Sequence, residues 1–312
     1  MRKIKIGSRA SELALVQAEM IMKMLKEKFP QYDYEIIKIK TLGDKILDKT
    51  LSKIGGKGLF VKEIQTALLE ESVDLAVHSM KDMPAESPEG LMLAAITERE
   101  DPRDVLVTKS GKALEELSTN ASIGTSSLRR KAQLLNLRKD LVLKDIRGNV
   151  ATRLNKIDTE GLDAVTLAAA GLKRLGYDDS NFYYLDIEAF TPAVGQGALG
   201  CEIRRNDQML YDMFQEINHK ETYNCVMGER VFLKLLEGGC HIPIGAYAQK
   251  VGEELWMTGM VASPDGSEVI RHKEKGNFED FLKIGTKLAE EMVKLGAKRL
   301  LASCENERGE IL

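Results

Sequence analysis

Ile123-Gly124-Thr125-Ser126-Ser127-Leu128-Arg129-Arg130-Lys131-Ala132-Gln133 is the stretch from which the fold can be read. An apolar run reaches a glycine, passes through small hydroxyl residues, and meets arginines where a helical pattern begins. The same order occurs near the N-terminus. Gly7-Ser8-Arg9-Ala10-Ser11 follows a short strand, Lys3–Ile6, and Leu13, Val16, Met20 and Met24 then recur at helical spacing behind a Ser11 cap. A second echo pairs Val73-Asp74-Leu75-Ala76-Val77 with Leu162-Asp163-Ala164-Val165-Thr166. Two repeated strand–helix units predict two similar α/β lobes facing each other across a cleft. In open α/β sheets, ligands bind beyond the carboxyl ends of the strands, and free N–H groups at helix starts favour anions there.

Working outward, strands are expected at Tyr34–Lys40, at 73–77, at Leu91–Ile96 and from Val105. A helix is expected over Leu59–Leu69. The charged run Thr97 to Asp104 has no apolar period and reads as a crossing between lobes. The glycine-bearing segment Thr191 to Gly200 reads as the return, and two crossings make a hinge. Residues 41–58, ending in Gly55-Gly56-Lys57-Gly58, read either as a surface loop or as a mobile lid carrying a cation. They are not a Walker A loop, because Leu51 stands where its first glycine is required and Gly58 replaces the Ser/Thr.

The texture changes at Asn218. A helix to Leu236, then strands at Tyr247–Lys250, Leu255–Ala262 and Ser267–Lys273, and a helix Phe278–Leu301 interrupted near Gly296, predict a small α+β domain. The expected division is 1–98 plus 199–217 for the first lobe, 99–198 for the second, and 218–312 for the C-terminal domain.

Composition excludes several classes. A net charge of -3 gives no bulk drive toward nucleic acid or anionic membrane, and no run is long enough to span a bilayer. The N-terminus lacks a signal-peptide apolar region, so a cytoplasmic location is the default. Cys201, Cys225, Cys240 and Cys304 form no C-x-x-C pair and the histidines form no H-E-x-x-H pattern, so neither a disulfide framework nor a metal site is expected.

Against this acidic background the strand-end loops are basic: Arg9, Lys57, Lys81, Arg129, Arg130, Arg147 and Arg153. Guanidinium forks suit carboxylate or phosphate, and neighbouring Ser and Thr add neutral donors. With neither a P-loop nor a dinucleotide fingerprint present, several carboxylates spread along one ligand are the better fit. Asp82, in His78-Ser79-Met80-Lys81-Asp82-Met83-Pro84, is then a lone carboxylate in a cationic cleft, able to stabilise a cation or shuttle a proton. Cys240 lies in Glu237-Gly238-Gly239-Cys240-His241-Ile242-Pro243. It follows a helix C-terminus, whose partial negative charge disfavours a thiolate, so it reads as a covalent attachment point rather than a turnover nucleophile.

These motifs, taken with Leu13-Ala14-Leu15-Val16-Gln17, Arg147-Gly148-Asn149 and Pro192-Ala193-Val194-Gly195-Gln196-Gly197, resemble porphobilinogen deaminase (hydroxymethylbilane synthase) along essentially the whole chain and in order. The resemblance implies two periplasmic-binding-protein-like lobes (type II) with a small third domain. It implies an enzyme that joins four porphobilinogen molecules head to tail into hydroxymethylbilane, releasing ammonia, in tetrapyrrole synthesis. It further implies a dipyrromethane cofactor in thioether linkage to Cys240, with Asp82 assisting deamination and coupling. The seven cations would hold acetate and propionate groups, and Ser11, Gln17, Ser79, Thr125, Ser126, Ser127 and Gln196 would add polar contacts. A cytoplasmic monomer without nucleic-acid or membrane partners is expected. A two-lobed solute-binding protein for a polycarboxylate is the rival class, but it would need no Cys240 and would usually carry a secretion signal. A nucleic-acid-binding protein fits the charge balance poorly.

Overall fold

The computed structural model describes residues 3–45, 61–236 and 242–302. The chain opens with β1 (Lys3–Arg9), α1 (Glu12–Lys28), β2 (Asp33–Ile39), a short α2 (Leu42–Lys45), α3 (Lys62–Leu69), β3 (Leu75–Ser79) and β4 (Leu91–Ile96). It crosses over and continues with β5 (Asp104–Thr108), β6 (Ser122–Gly124), α4 (Leu128–Leu137), β7 (Val142–Lys144), α5 (Val150–Thr159), β8 (Ala164–Ala168), α6 (Ala169–Arg174) and β9 (Phe182–Tyr184). It then returns as β10 (Leu199–Arg204) and α7 (Gln208–Gln215). The last part is α8 (Lys220–Leu235), β11 (Ile244–Val251), β12 (Glu254–Ala262), β13 (Val269–Asn277) and α9 (Phe281–Lys294).

The first sheet runs β2-β1-β3-β10-β4 and the second β7-β6-β8-β5-β9. The two orders match position for position when β1 is equated with β6, β2 with β7, β3 with β8, β4 with β9 and the crossing strand β10 with β5. In each, the fourth position is an antiparallel strand supplied by chain that has just crossed from the other lobe. The short sequence echoes are therefore a structural repeat. Ile6 pairs with Leu75 and Gly7 with Ala76; Ile123 pairs with Ala164 and Gly124 with Val165. Even the shared aspartate does one job twice. Asp74 accepts from the Lys5 N–H at 2.8 Å, and Asp163 accepts from the Ser122 N–H at 2.7 Å. This is a two-lobed α/β architecture, with a three-stranded antiparallel sheet added at the C-terminus.

Several boundaries differ from expectation. β1 carries on through Gly7, Ser8 and Arg9, because β2 offers partners as far as Ile39. β3 is displaced two residues onward, to Leu75–Ser79, because Asp74 is spent on Lys5 rather than on the ladder core. The closing helix is interrupted as expected. A short 3-10 turn at Phe278–Asp280 precedes α9, and Gly296, at φ +100, separates it from a helical stretch at 297–302.

The crossings lie side by side, with Thr97 N–H donating to the Leu199 carbonyl at 3.0 Å and Glu100 N–H to the Gly197 carbonyl at 3.1 Å. Gly197 has φ +91, and a Cβ there would sit 2.2 Å from the Glu100 carbonyl oxygen, so only glycine permits this approach. In the C-terminal domain, Phe232, Leu255, Met257, Leu288 and Met292 fill the space between α8, α9 and the sheet. On the other face Met260 and Ala262 pack against Ala132 of α4, seating this domain on the second lobe.

Candidate active site

The carboxyl ends of β1, β3, β6 and β8 converge beside the crossings. β3 ends at Ser79 and turns through Met80–Asp82, with the Met80 N–H donating to the Ala198 carbonyl at 3.0 Å. Asp82 lines one pocket with Arg9, Gln17, His78 and Ser79. Lys81 lines an adjoining one with Gln17, Ser79, Arg174, Gly195 and Gly197. The Ser79 hydroxyl donates to Gln17 Oε1 at 3.2 Å, joining β3 to α1. Ser11 occupies the N-cap of α1, as expected, but its side chain makes no cap hydrogen bond.

From the second lobe, Ser127 caps α4 by accepting from the Arg130 N–H at 3.4 Å. The Ser126 hydroxyl donates to the Ile146 carbonyl at 2.5 Å, and Thr125 is buried, accepting from the Ser127 N–H at 3.3 Å. Asn149 caps α5 through the Thr152 N–H, which leaves Arg147 and Arg153 flanking the start of that helix. Arg153 Nε donates to the Gly148 carbonyl at 2.9 Å.

The cations feel one another. Burial pushes the Lys81 ammonium down to about 8; Arg130 and Arg129 add to the shift, while Asp82 and Asp104 oppose it. Burial, with Arg130 next, pushes Arg153 down to about 10, again against Asp82. Arg147 is lowered by burial. Lys81, Asp82, Arg129, Arg130, Arg147 and Arg153 thus form one electrostatic cluster. Two members are already committed. Arg129 Nη1 lies 2.7 Å from Asp104 Oδ2, and Arg130 Nε lies 2.9 Å from Asp104 Oδ1. Burial works against the Asp104 carboxylate, but the two guanidiniums outweigh it and hold it well below the usual range. Gln196 is fully buried in the hinge, donating to the Pro102 carbonyl at 2.7 Å and to Asp104 at 3.1 Å, and it lines neither pocket. Lys57 and Cys240 lie outside the described residues.

Three participants escaped the sequence reading. Arg174 of α6 lines the Lys81 pocket, donates to the Gly197 carbonyl at 2.6 Å, and is pushed down to about 10 by burial. Its signal was the repeat itself, since α6 follows β8 as the Asp82 turn follows β3. Asp104 sat at the end of a run read only as a linker. Glu229, in α8, is fully buried and gathers Arg99, Gly195 N–H and Ala248 N–H, joining both crossings to the C-terminal sheet.

The donor set suits a ligand with four carboxylates, as a dipyrromethane has. Cations crowd together, and Lys81, Arg130, Arg147, Arg153 and Arg174 all have lowered pKa values that a bound anion would restore, while the Nε of Arg174 is buried without a hydrogen-bond partner. The sequence decides the family. Residues 4–212 match the model described as porphobilinogen deaminase, dipyromethane cofactor binding domain, and residues 223–294 match its C-terminal domain. The chain belongs to the porphobilinogen deaminase family. A porphobilinogen deaminase of Alkaliphilus metalliredigens is 66% identical over 98% of this chain and 97% of its own length. That of Bacillus subtilis is 50% identical over 99% of both. A probable amino-acid transporter binding protein from Bacillus subtilis superposes with TM-score 0.41 at 13% identity, covering 75% of this chain and 97% of its own. Membership makes the chain an enzyme of tetrapyrrole synthesis with a dipyrromethane cofactor, forming hydroxymethylbilane from porphobilinogen.

Proposed function

We propose that Asp82 is the carboxylate that carries the chemistry of porphobilinogen condensation, and that Cys240 anchors the dipyrromethane by a thioether. The observation that carries this reading is the placement of Asp82. It is open to the pocket shared with Arg9, Gln17 and Ser79, whereas the nearby Asp104 is spent on two arginines.

When bound, the dipyrromethane supplies the pyrrole carbon to which the first porphobilinogen is joined. Lys81, Arg130, Arg147 and Arg153, with Arg9 and Lys57, hold the acetate and propionate groups of cofactor, substrate and growing chain. Arg129 stands behind Arg130 on Asp104. Ser11, Gln17 and Ser79 on the first lobe and Thr125, Ser126 and Ser127 on the second add polar contacts, and Gln196 fixes the crossings between them. As ammonia leaves porphobilinogen, positive charge develops on its pyrrole. A fixed carboxylate among immobile dipoles stabilises that charge without reorganising at the moment of reaction. Asp82 can also take the proton released when the new carbon–carbon bond forms, and pass it on. Holding the chain in the cleft makes each addition effectively intramolecular.

The lobes are taken as 1–98 with 199–217, 99–198, and 218–312, which follows sheet membership. The family resemblance supports a cytoplasmic monomer. Among the described residues no helix is long and apolar enough to cross a membrane. The test is intact mass under denaturing conditions. Protein from cells making porphobilinogen should carry the added mass of a dipyrromethane, lost in Cys240→Ser. Unmodified wild-type protein that folds normally would remove the anchor from the reading.

A further inference from the structure

The Asp82 turn has one backbone hydrogen bond of its own, Met83 N–H to the Met80 carbonyl at 3.3 Å, and its two ends are held by its neighbours. Its entry is fixed by β10, through Met80 N–H to Ala198 and the pairing of Ser79 with Leu199. Its exit is held from another domain. Arg230, on α8, places Nη2 2.7 Å from the Pro84 carbonyl oxygen and 2.9 Å from that of Ala85. Met80 and Met83, on either side of Asp82, pack against Val226 of the same helix, with Tyr223 and Met227 beside them.

An arginine is an expensive way to fill this position. Arg230 is only 6% exposed and donates to neutral carbonyls, and its Nη1 is buried without a hydrogen-bond partner. Burial lowers its pKa and the charge of Glu202 opposes that shift, so its charge is only partly compensated. Packing alone would be served by leucine or methionine. What those cannot do is bridge two carbonyls of a segment whose Pro84 has no N–H to offer.

The adjacent Glu229 locks α8 on its other side, to Arg99 and to the Gly195 and Ala248 N–H groups. α8 cannot turn or slide without breaking one set or the other. About a turn and a half beyond Arg230 the helix ends and the stretch containing Cys240 begins.

We infer that Arg230 is a positioning residue for the reaction: it ties the exit of the Asp82 turn to α8 of the third domain, so that the catalytic carboxylate keeps one position in the cleft. The inference rests on Asp82 acting in the reaction. A carboxylate that drifts by an ångström at a reacting centre costs on the order of a hundredfold in rate.

The test compares Arg230→Gln, Arg230→Lys, Asp82→Asn and the Arg230→Gln/Asp82→Asn double variant, each purified with its cofactor and checked by intact mass. Arg230→Gln should keep the dipyrromethane mass and a porphobilinogen KM within about twofold, while kcat falls roughly 10–100-fold. Arg230→Lys should recover part of that loss. In the Asp82→Asn background the Arg230 change should cost less than about twofold more, because the group it positions is gone. Wild-type kcat in Arg230→Gln, a multiplicative loss in the double variant, or loss of the cofactor mass would each overturn the assignment. If Arg230→Gln does not fold, Arg230→Lys alone and over Asp82→Asn gives the same comparison. Full activity in Asp82→Asn would instead overturn the role of Asp82 itself.

Discussion

Asp104 meets Arg130 in a fully buried pair, with Nε 2.9 Å and Nη2 2.7 Å from the same carboxylate oxygen, Oδ1. The other oxygen takes Arg129, so one carboxylate at the start of β5 aims two consecutive arginines of α4. The strand that crosses from the first lobe thereby orders the cations of the second.

Asp104→Asn leaves two buried guanidiniums without their counter-charge. Breaking such a pair costs about 3–5 kcal/mol, so the thermal midpoint at pH 7 should drop sharply. The sign with pH follows from the depressed carboxylate pKa. The stabilisation is present above the unfolded value of about 3.9 and is lost as pH falls through the folded one, so wild type and variant should converge in acid. Indistinguishable midpoints at pH 7 would show that the pair contributes nothing net.

Lys81 sets the second expectation. Its ammonium titrates at about 8 in the protein alone, and bound carboxylates move that upward. The porphobilinogen KM should therefore rise once pH passes a point at or above about 8, as the cleft loses one charge. Arginine stays protonated there, so Lys81→Arg should flatten the alkaline limb whatever it does to the absolute KM. Superimposable KM–pH profiles for the two proteins would exclude Lys81 as the titrating group.

Much of this was legible in the chain because the repeat is local. The glycine, hydroxyl and arginine of each β-to-α turn are adjacent in sequence, and Asp74 and Asp163 each stand immediately before one of two matching strands. Lys81, Arg129, Arg130, Arg147 and Arg153, which the structure brings into one cluster, all stand at strand-end positions in the sequence. What could not be read was pairing across long separations. Asp104 finds Arg129 only when the crossing strand enters the second sheet, and Glu229 finds Arg99 from 130 residues away. The family resemblance implied Gln196 as a polar contact of the cleft. Its amide is instead used by Pro102 and Asp104, a contact that depends on the two crossings lying together.

Glu229→Gln should loosen that junction. The carboxylate accepts from Arg99 at 2.6 and 3.2 Å, from Gly195 N–H at 2.7 Å and from Ala248 N–H at 2.8 Å. An amide turns one acceptor into a donor facing donors and leaves Arg99 uncompensated, a loss of about 3–5 kcal/mol for a broken buried pair. Hydrogen exchange should accelerate in segments 97–103 and 191–198 before it does in β6 or β8. Unchanged exchange at both crossings would mean that Glu229 does not hold them.

Gly245 offers the most direct link between the third domain and the cleft. It is the second residue of β11, and the next residue, Ala246, donates its N–H to the Pro192 carbonyl at 3.1 Å. A Cβ at Gly245 would lie 2.7 Å from the Pro192 carbonyl oxygen, 3.0 Å from that of Thr191 and 3.3 Å from Arg129 Cδ. Two of these neighbours are backbone and cannot swing aside, so Gly245→Val must lift β11 from the second crossing. The domain's own core, around Phe232, Met257 and Leu288, is untouched by the change. Gly245→Val should therefore keep a folded third domain but lose dipyrromethane loading, because β11 no longer seats against the second crossing beside Arg129. Gly252→Ala, in the turn between β11 and β12 where an added Cβ meets nothing, bears φ strain alone and should load normally. Full cofactor mass and activity in Gly245→Val would show that the close approach of β11 to Pro192 is dispensable for seating the anchor.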